Sequence, residues 1–242
     1  VLSKKKGHEA WIEPVISGNT YTFKVHTGKY PKEAEDGTKV GSKGASFKCL
    51  FSETSIESDY IHEQFQQKKT SKKLMALVCE GAGGRVYLSP DCTTVLDKMT
   101  PGWIPDIDME QRSSNLISGR GYGFTKWYEI FTDRQLTALS TFCDILPAAI
   151  RKVEEDAIHH GMIADDIGIE QQGTGAKAYA QAVGVYLSFA IDKCTNLWSS
   201  ITSWMNDRGA FRETFARQAI PMTWDFAEAN PFCEAGGSIA TA

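Results

Sequence analysis

The 242-residue sequence has no initiator methionine, no long apolar run and no closely spaced pair of cysteines. A helix that crosses a membrane needs about twenty predominantly apolar residues, and no stretch of that kind occurs. The first ten residues, VLSKKKGHEA, also lack the apolar centre of a secretory leader. We therefore expect neither a leader nor a membrane anchor, and we expect the chain to be a piece excised from a longer protein.

Cysteine is sparse and widely spaced. Disulfide-stapled scaffolds are small and dense in cysteine, so the sequence does not fit that class. Several of the cysteines lie inside apolar patterns, where a free thiol behaves as a small buried hydrophobe. A reduced, cytoplasmic setting is therefore predicted for the six cysteines, which are Cys49, Cys79, Cys92, Cys143, Cys194 and Cys233.

Charge is unevenly distributed, although the composition as a whole is that of an ordinary globular protein. Residues 1–100 contain 15 Lys and Arg against 12 Asp and Glu, a net of +3, whereas residues 101–242 contain 11 against 18, a net of −7. The first segment could face a polyanion, and the second is unsuited to doing so broadly. The alternative for the lysine clusters is ordinary solvated surface.

Residues 1–100 are predicted to be β-rich. Residues 21–25 alternate as YTFKV, and two apolar runs at 74–79 and 85–88 flank a glycine-rich turn, which is typical of a hairpin. A surface loop is expected at 28–44 and a short polar helix at 60–69. Residues 101–123, with two prolines and little periodicity, are interpreted as a connector to an α-helical region at 124–242.

The first long helix is predicted to begin at Asp133. Thr132 and Gln135 have the spacing of a capping box, and Asp133 places a negative charge in the first turn. Pro147 removes a backbone donor, so a kink or break is expected at 142–146. One apolar face is predicted to pack, formed by Leu136, Leu139, Phe142, Cys143, Leu146, Ile150, Val153 and Ala157.

A second helix is predicted over residues 176–205, joined to the first by residues 161–175 in an antiparallel hairpin. A third short helix is expected at 208–218. The pattern places one apolar stripe on the second helix, formed by Tyr179, Val183, Tyr186, Ala190, Cys194, Leu197, Ile201 and Trp204. The fold class predicted for the chain is therefore α+β.

Two short motifs invite a catalytic interpretation. The GAGG at 81–84 resembles a cofactor loop, but RVYLSP follows it as a strand rather than as a helix, which favours a hairpin turn. The ANPF at 229–232 resembles part of the catalytic (D/N)PPY tetrapeptide of amino-group methyltransferases, with one proline missing. The alternative is a short helix whose acids, Asp225 and Glu228, lie one turn apart.

Several longer stretches together resemble one protein family. They are 2–7 (LSKKKG), 74–90 (LMALVCEGAGGRVYLSP), 121–141 (GYGFTKWYEIFTDRQLTALST), 177–192 (KAYAQAVGVYLSFAID) and 217–232 (RQAIPMTWDFAEANPF). These stretches are similar to the central region of large prokaryotic adenine-specific DNA methylases with a zinc-ribbon element. IFTDRQL and WDFAEANPF are the most specific of them.

The resemblance implies a fragment of an N6-adenine DNA methyltransferase of the restriction-modification kind. In that family an FxGxG-type S-adenosylmethionine loop lies before this region and a DPPY-type catalytic motif lies after it. Neither motif occurs in this chain, so no catalytic or cofactor-binding residue is assigned, and S-adenosylmethionine is implied only for the full-length protein. The chain alone is expected to be inactive, with the missing methyltransferase domain as its partner.

The resemblance also bears on zinc. Family members resemble CxxC around Cys49, whereas Ser52 occupies the partner position here. A closed structural zinc site usually has four thiolate or imidazole ligands, so we interpret 1–100 as a zinc-ribbon-like segment with a degenerate metal site and expect no zinc.

Two functions remain open at this stage. In the first, the segment contacts DNA phosphates. In the second, it is a structural or protein-interaction module of a modification or phage-defence complex; a small complete enzyme is a third, weaker alternative. The predicted DNA-contacting residues are Lys4, Lys5, Lys6, Lys68, Lys69, Lys72, Lys73, Arg120, Lys126 and Arg134.

Overall fold

A computed structural model describes residues 1–41, 45–91, 98–110, 112, 121–216 and 219–242. Small antiparallel sheets occupy the N-terminal part of these ranges, and two long helices follow. The α+β prediction is confirmed. None of the helices within these ranges is both long enough and apolar enough to cross a membrane.

The N-terminal part consists of short hairpins and two short helices. Strands β1 (Ala10–Ser17) and β2 (Thr20–Thr27) pair in the first hairpin. Strand β2 contains the alternating YTFKV stretch, whereas β1 was not predicted. The expected surface loop contains a one-turn helix, α1 (Lys32–Asp36). The expected polar helix forms slightly earlier, as α2 (Ser58–Gln66). Strands β3 (Phe47–Lys48) and β4 (Ser55–Ile56) pair just before it.

The glycine-rich motif closes a hairpin, as predicted. Strand β5 (Leu77–Gly81) pairs with β6 (Gly84–Leu88), and residues 82 and 83 form the turn. Gly84 has a φ of +116°, a conformation that glycine tolerates and other residues rarely adopt. The GAGG therefore serves the local backbone geometry of a hairpin.

Helix α3 (Asp133–His159) begins where the sequence predicted. The Gln135 backbone N–H donates to the Thr132 hydroxyl at 3.2 Å, and the Gln135 side-chain oxygen accepts from the Thr132 N–H at 2.8 Å. These two bonds satisfy otherwise orphaned donors at the helix start. The predicted break does not form within the described helix, because α3 continues through Pro147. Contacts with the second helix hold the segments on both sides of the proline.

Helix α4 (Ala176–Leu197) is shorter than predicted. Trp198 leaves the helical conformation, and its indole N–H donates to the carbonyl of Gly237. The chain then forms strand β7 (Ser203–Met205), which pairs with β8 (Ala210–Arg212). The third helix predicted at 208–218 is therefore wrong over the part of that range that the structure describes. Tertiary pairing overrides the helical periodicity here.

The two long helices pack antiparallel, as predicted. Phe142 of α3 lies near Trp198, which follows α4, with ring centroids 5.9 Å apart. Further along α3, Ile150 lies against Gly184, where a Cβ would be only 2.6 Å from Ile150 Cδ1. The predicted apolar face of α3 is indeed the less exposed one.

The stripe predicted to pack on α4 is wrong over the first half of the helix. Its buried side is made of small residues, Ala176, Ala180 and Gly184, whereas Tyr179 and Tyr186 are exposed. Small residues let the two helix backbones approach closely, so the buried side is the one with the least bulk. The large side chains consequently face outward.

Contacts join the N-terminal hairpins to the region after α4. The Trp204 indole N–H donates to the Leu2 carbonyl at 2.7 Å, and the Lys4 N–H donates to the Asn206 carbonyl at 2.9 Å. The ring of Trp224 lies edge-on to the rings of Phe65 and Tyr122. The division into domains at 1–100, 101–123 and 124–242 stays a prediction, and these contacts cross it.

Candidate nucleic-acid interface

Acidic side chains neutralise several of the predicted DNA-contacting cations. The Lys4 ammonium lies 2.5 Å from Glu35, and this hydrogen bond raises the pKa of Lys4. Lys126 lies between Asp106 and Asp108, at 3.0 and 2.7 Å, and their hydrogen bonds raise its pKa. A phosphate that bound either lysine would have to compete with these acidic partners.

Arg134 forms a bidentate pair with Glu228. Its two donors, Nε and Nη2, lie 2.7 and 2.8 Å from the carboxylate oxygens. This planar, two-bond geometry is the strong form of an ion pair. The pair fastens the start of α3 to the C-terminal segment, which gives Arg134 a structural role.

The lysines at 68, 72 and 73 are also engaged. Lys68 lies 3.7 Å from Glu129. Lys73 donates to the Tyr21 carbonyl and lies 3.8 Å from the centroid of its ring. The Lys72 ammonium lies 5.4 Å from the Phe226 ring, and desolvation there lowers the pKa of Lys72 although the residue as a whole is exposed.

Three of the predicted cations remain accessible to a phosphate. Lys5, Lys6 and Lys69 are exposed and form no ion pair with the described residues. Arg120 lies outside the described ranges. The predicted set therefore divides into cations held by intramolecular partners and a smaller group that solvent, or a phosphate, can reach.

The ANPF motif forms an exposed turn. The Asn230 side-chain oxygen accepts the Phe232 N–H at 3.0 Å, so it is engaged within its own turn. Phe232 is 79% exposed. The short helix expected to carry Asp225 and Glu228 does not form within 219–242, because the Ala227 N–H pairs with the Thr202 carbonyl in an extended arrangement.

Two features of the described residues bear on S-adenosylmethionine and zinc. The glycine-rich turn joins two strands and opens no helix, so it lacks the geometry of a cofactor loop. No group of three or more potential ligands gathers among the described residues. His159 and His160 are neighbours at the end of α3 with ring centroids 5.4 Å apart and no third ligand in that part of the structure.

Cys49 sits in a tight turn between β3 and β4. Its N–H donates to the Thr54 carbonyl at 2.8 Å. Hydrogen bonds from the Ser52 hydroxyl and from the backbone N–H groups of Ser52 and Phe51 lower the pKa of Cys49. The turn stabilises a thiolate, but a single thiolate is insufficient for a structural zinc site.

The sequence did not identify the exposed aromatic side of α4. Tyr186 is 74% exposed and Phe189 is 59% exposed, with their ring centroids 6.3 Å apart. The repeated small residues at positions 176, 180 and 184 were the signal for the true buried side.

Comparison with protein-family models, with curated proteins and with solved structures finds no match for the chain.

Proposed function

We propose that the chain is a non-catalytic segment inserted between the cofactor-binding and catalytic halves of an N6-adenine DNA methyltransferase. In this proposal it acts mainly as a scaffold in a cytoplasmic modification enzyme. The family resemblance supports the enzyme class. S-adenosylmethionine and the catalytic motif would both be supplied by the rest of the protein.

One observation supports the insertion proposal: the first residues of the segment and residues close to position 237 both contact the β7–β8 hairpin. Leu2 accepts the indole N–H of Trp204, whose ring contacts that of Phe211 at a centroid distance of 5.6 Å. A Cβ on Gly237 would lie 2.8 Å from that Phe211 ring. A segment whose two ends contact the same hairpin is suited to interrupting a host domain, because neighbouring ends would not separate the two halves of that domain.

DNA contact in this proposal is confined to a few side chains. Lys5, Lys6 and Lys69 are exposed and unpaired among the described residues, so they can approach phosphates without breaking an internal ion pair. Lys4, Lys126 and Arg134 instead form ion pairs with acidic side chains of the same chain. The segment would thus assist DNA positioning and would not itself read the sequence.

A duplex DNA titration at low and high salt tests this contact. We expect weak binding that falls with salt, because phosphate contacts release counterions. The triple variant Lys5→Ala, Lys6→Ala, Lys69→Ala should weaken binding more than the matched variant Lys24→Ala, Lys29→Ala, Lys32→Ala. Salt-independent binding, or binding that the triple variant leaves unchanged, would remove DNA contact from the proposal.

Calorimetry with S-adenosylmethionine tests the non-catalytic assignment. The glycine-rich turn has hairpin geometry, so the 242-residue chain should release no binding heat. Measurable binding would contradict the assignment and would favour a complete enzyme.

A second candidate is a protein-interaction module of a modification or phage-defence complex, without DNA contact. The observation that favours it is the exposed aromatic side of α4, combined with the internal pairing of most candidate cations. Absence of DNA binding at low salt would favour this candidate over the first.

A further inference from the structure

The outward side of α4 presents a seam of seven residues in which three aromatic side chains lie among smaller ones. Tyr179, Tyr186 and Phe189 are 50%, 74% and 59% exposed. Large exposed apolar surfaces of this kind mark contacts with other macromolecules. The full seam consists of Tyr179, Ala182, Val183, Tyr186, Phe189, Ala190 and Lys193.

This seam is close to symmetric about its centre. Helix α4 covers residues 176 to 197, so Tyr186 lies at its midpoint. The other members lie three, four and seven residues to either side of Tyr186, which is the spacing of a helix–helix contact line. Such a line can pair with itself when two helices run antiparallel.

We propose that a second copy of this chain docks on the α4 seam, with a two-fold axis passing beside Tyr186. Each contact in such an interface occurs twice. Antiparallel pairing also aligns the dipoles of the two helices favourably. This inference is independent of the methyltransferase proposal.

The register places complementary side chains opposite one another. Phe189 of one copy meets Val183 of the other, a large residue against a smaller one. Ala182 meets Ala190, and these small residues allow helix axes to approach to about 8 Å. Tyr179 meets Lys193, whose ammonium is paired with Glu213 of its own copy at 2.5 Å and whose methylene stem can pack on the ring. The two copies of Lys193 lie at opposite ends of the contact and do not repel at close range.

The exposed aromatic area of the seam supplies about half of what one partner contributes to an interface of standard size. At about 200 Å² for an exposed aromatic side chain, the three rings present roughly 370 Å². That is about half of the roughly 800 Å² that each partner contributes to an interface of standard size. Val183, the two alanines, Lys193 and the exposed Val185 beside the seam would add to this area.

Sedimentation velocity of the 242-residue chain over a range of concentrations tests the dimer. We expect a monomer–dimer equilibrium that Tyr186→Glu shifts to monomer, because it places two carboxylates at the axis. Glu155→Ala, on an exposed site of α3, is the matched control and should leave the dimer intact. Circular dichroism of both variants checks that the helices remain folded.

Disulfide trapping tests the register. Two Cα atoms must lie within about 7 Å to be bridged, so Tyr186→Cys at the axis should give a covalent dimer under mild oxidation. Glu155→Cys should give no more covalent dimer than the unaltered chain. A monomer at every concentration, or a dimer that survives Tyr186→Glu and is not trapped at position 186, would overturn the proposal. Neither outcome bears on the insertion proposal.

Discussion

At the scale of single residues, the chain contains thiols in opposite environments. Hydrogen bonds from Ser52 and from nearby backbone N–H groups lower the pKa of Cys49. Burial raises the pKa of Cys194 to about 11. Because the thiolate is the reactive form, these environments predict different reactivities.

We predict that iodoacetamide modifies Cys49 faster than Cys194 at neutral pH. Ser52→Ala should slow modification of Cys49, since loss of the largest stabilising bond raises its pKa and reduces the thiolate fraction. Mass spectrometry of each cysteine-containing peptide measures the rates. Thr141→Val, at an exposed position of α3 away from the Cys49 turn, is the control. An unchanged Cys49 rate in Ser52→Ala would contradict the assignment.

The Thr132 cap is a second residue-scale feature. Thr132→Ala removes the acceptor of the Gln135 N–H and should lower the free energy of unfolding by about 1 kcal/mol. Thr132→Ser keeps the oxygen and should cost less. Urea denaturation of the three proteins measures the difference. Equal losses for alanine and serine would show that the methyl group, rather than the cap, matters.

At the scale of elements, the start of α3 was predicted correctly from the sequence, and the end of α4 was not. The Thr132–Gln135 spacing located the start of α3 because capping is a local interaction. The end of α4 was missed because the bond from Trp198 to Gly237 spans 39 residues, and local periodicity carries no record of it. The β7–β8 pairing was missed for a similar reason.

The buried side of α4 was predicted wrongly because the large apolar side chains were assumed to be the buried ones. Ala176, Ala180 and Gly184 are buried, with Gly184 against Ile150 of α3, and the larger Tyr179 and Tyr186 are exposed. Several of the candidate cations are exposed, and their contact with DNA stays a prediction. Their acidic partners, such as Glu228 for Arg134, lie far away in sequence and could not be assigned beforehand.

The close approach at Gly184 gives an element-scale prediction. Gly184→Ala should lower the free energy of unfolding by about 1 kcal/mol, because overpacking against Ile150 exceeds the helix-propensity gain of about 1 kcal/mol. In an Ile150→Ala background, which removes both Cδ1 and Cγ1, the same change should be neutral or stabilising. Thermal or urea unfolding of the four proteins completes the cycle. Additive effects would contradict this close contact.

At the scale of the whole molecule, the hydrogen bond from Trp204 to Leu2 joins strand β7 to the N-terminal residues. Trp204→Phe keeps a ring but leaves the Leu2 carbonyl without its donor, which should cost about 1 kcal/mol. Native-state hydrogen exchange should then show weaker protection in residues 1–12, while α3 keeps its protection. Uniform loss of protection across the chain would instead indicate global destabilisation.

The same closure underlies the proposed insertion into a methyltransferase. If the entry and exit of the segment lie together, a short flexible linker can take its place in the full-length protein and leave the host domain folded. Replacing the segment would then remove its support of DNA methylation and leave the cofactor site of the host domain intact.

The most direct measurement is therefore S-adenosylmethionine binding and DNA methylation by the full-length protein in which a short glycine–serine linker replaces residues 3–236. We predict that cofactor binding persists and that methylation of DNA is strongly reduced. Loss of cofactor binding through unfolding of the host, or methylation at the unaltered rate, would contradict the assignment of this chain as an inserted scaffold.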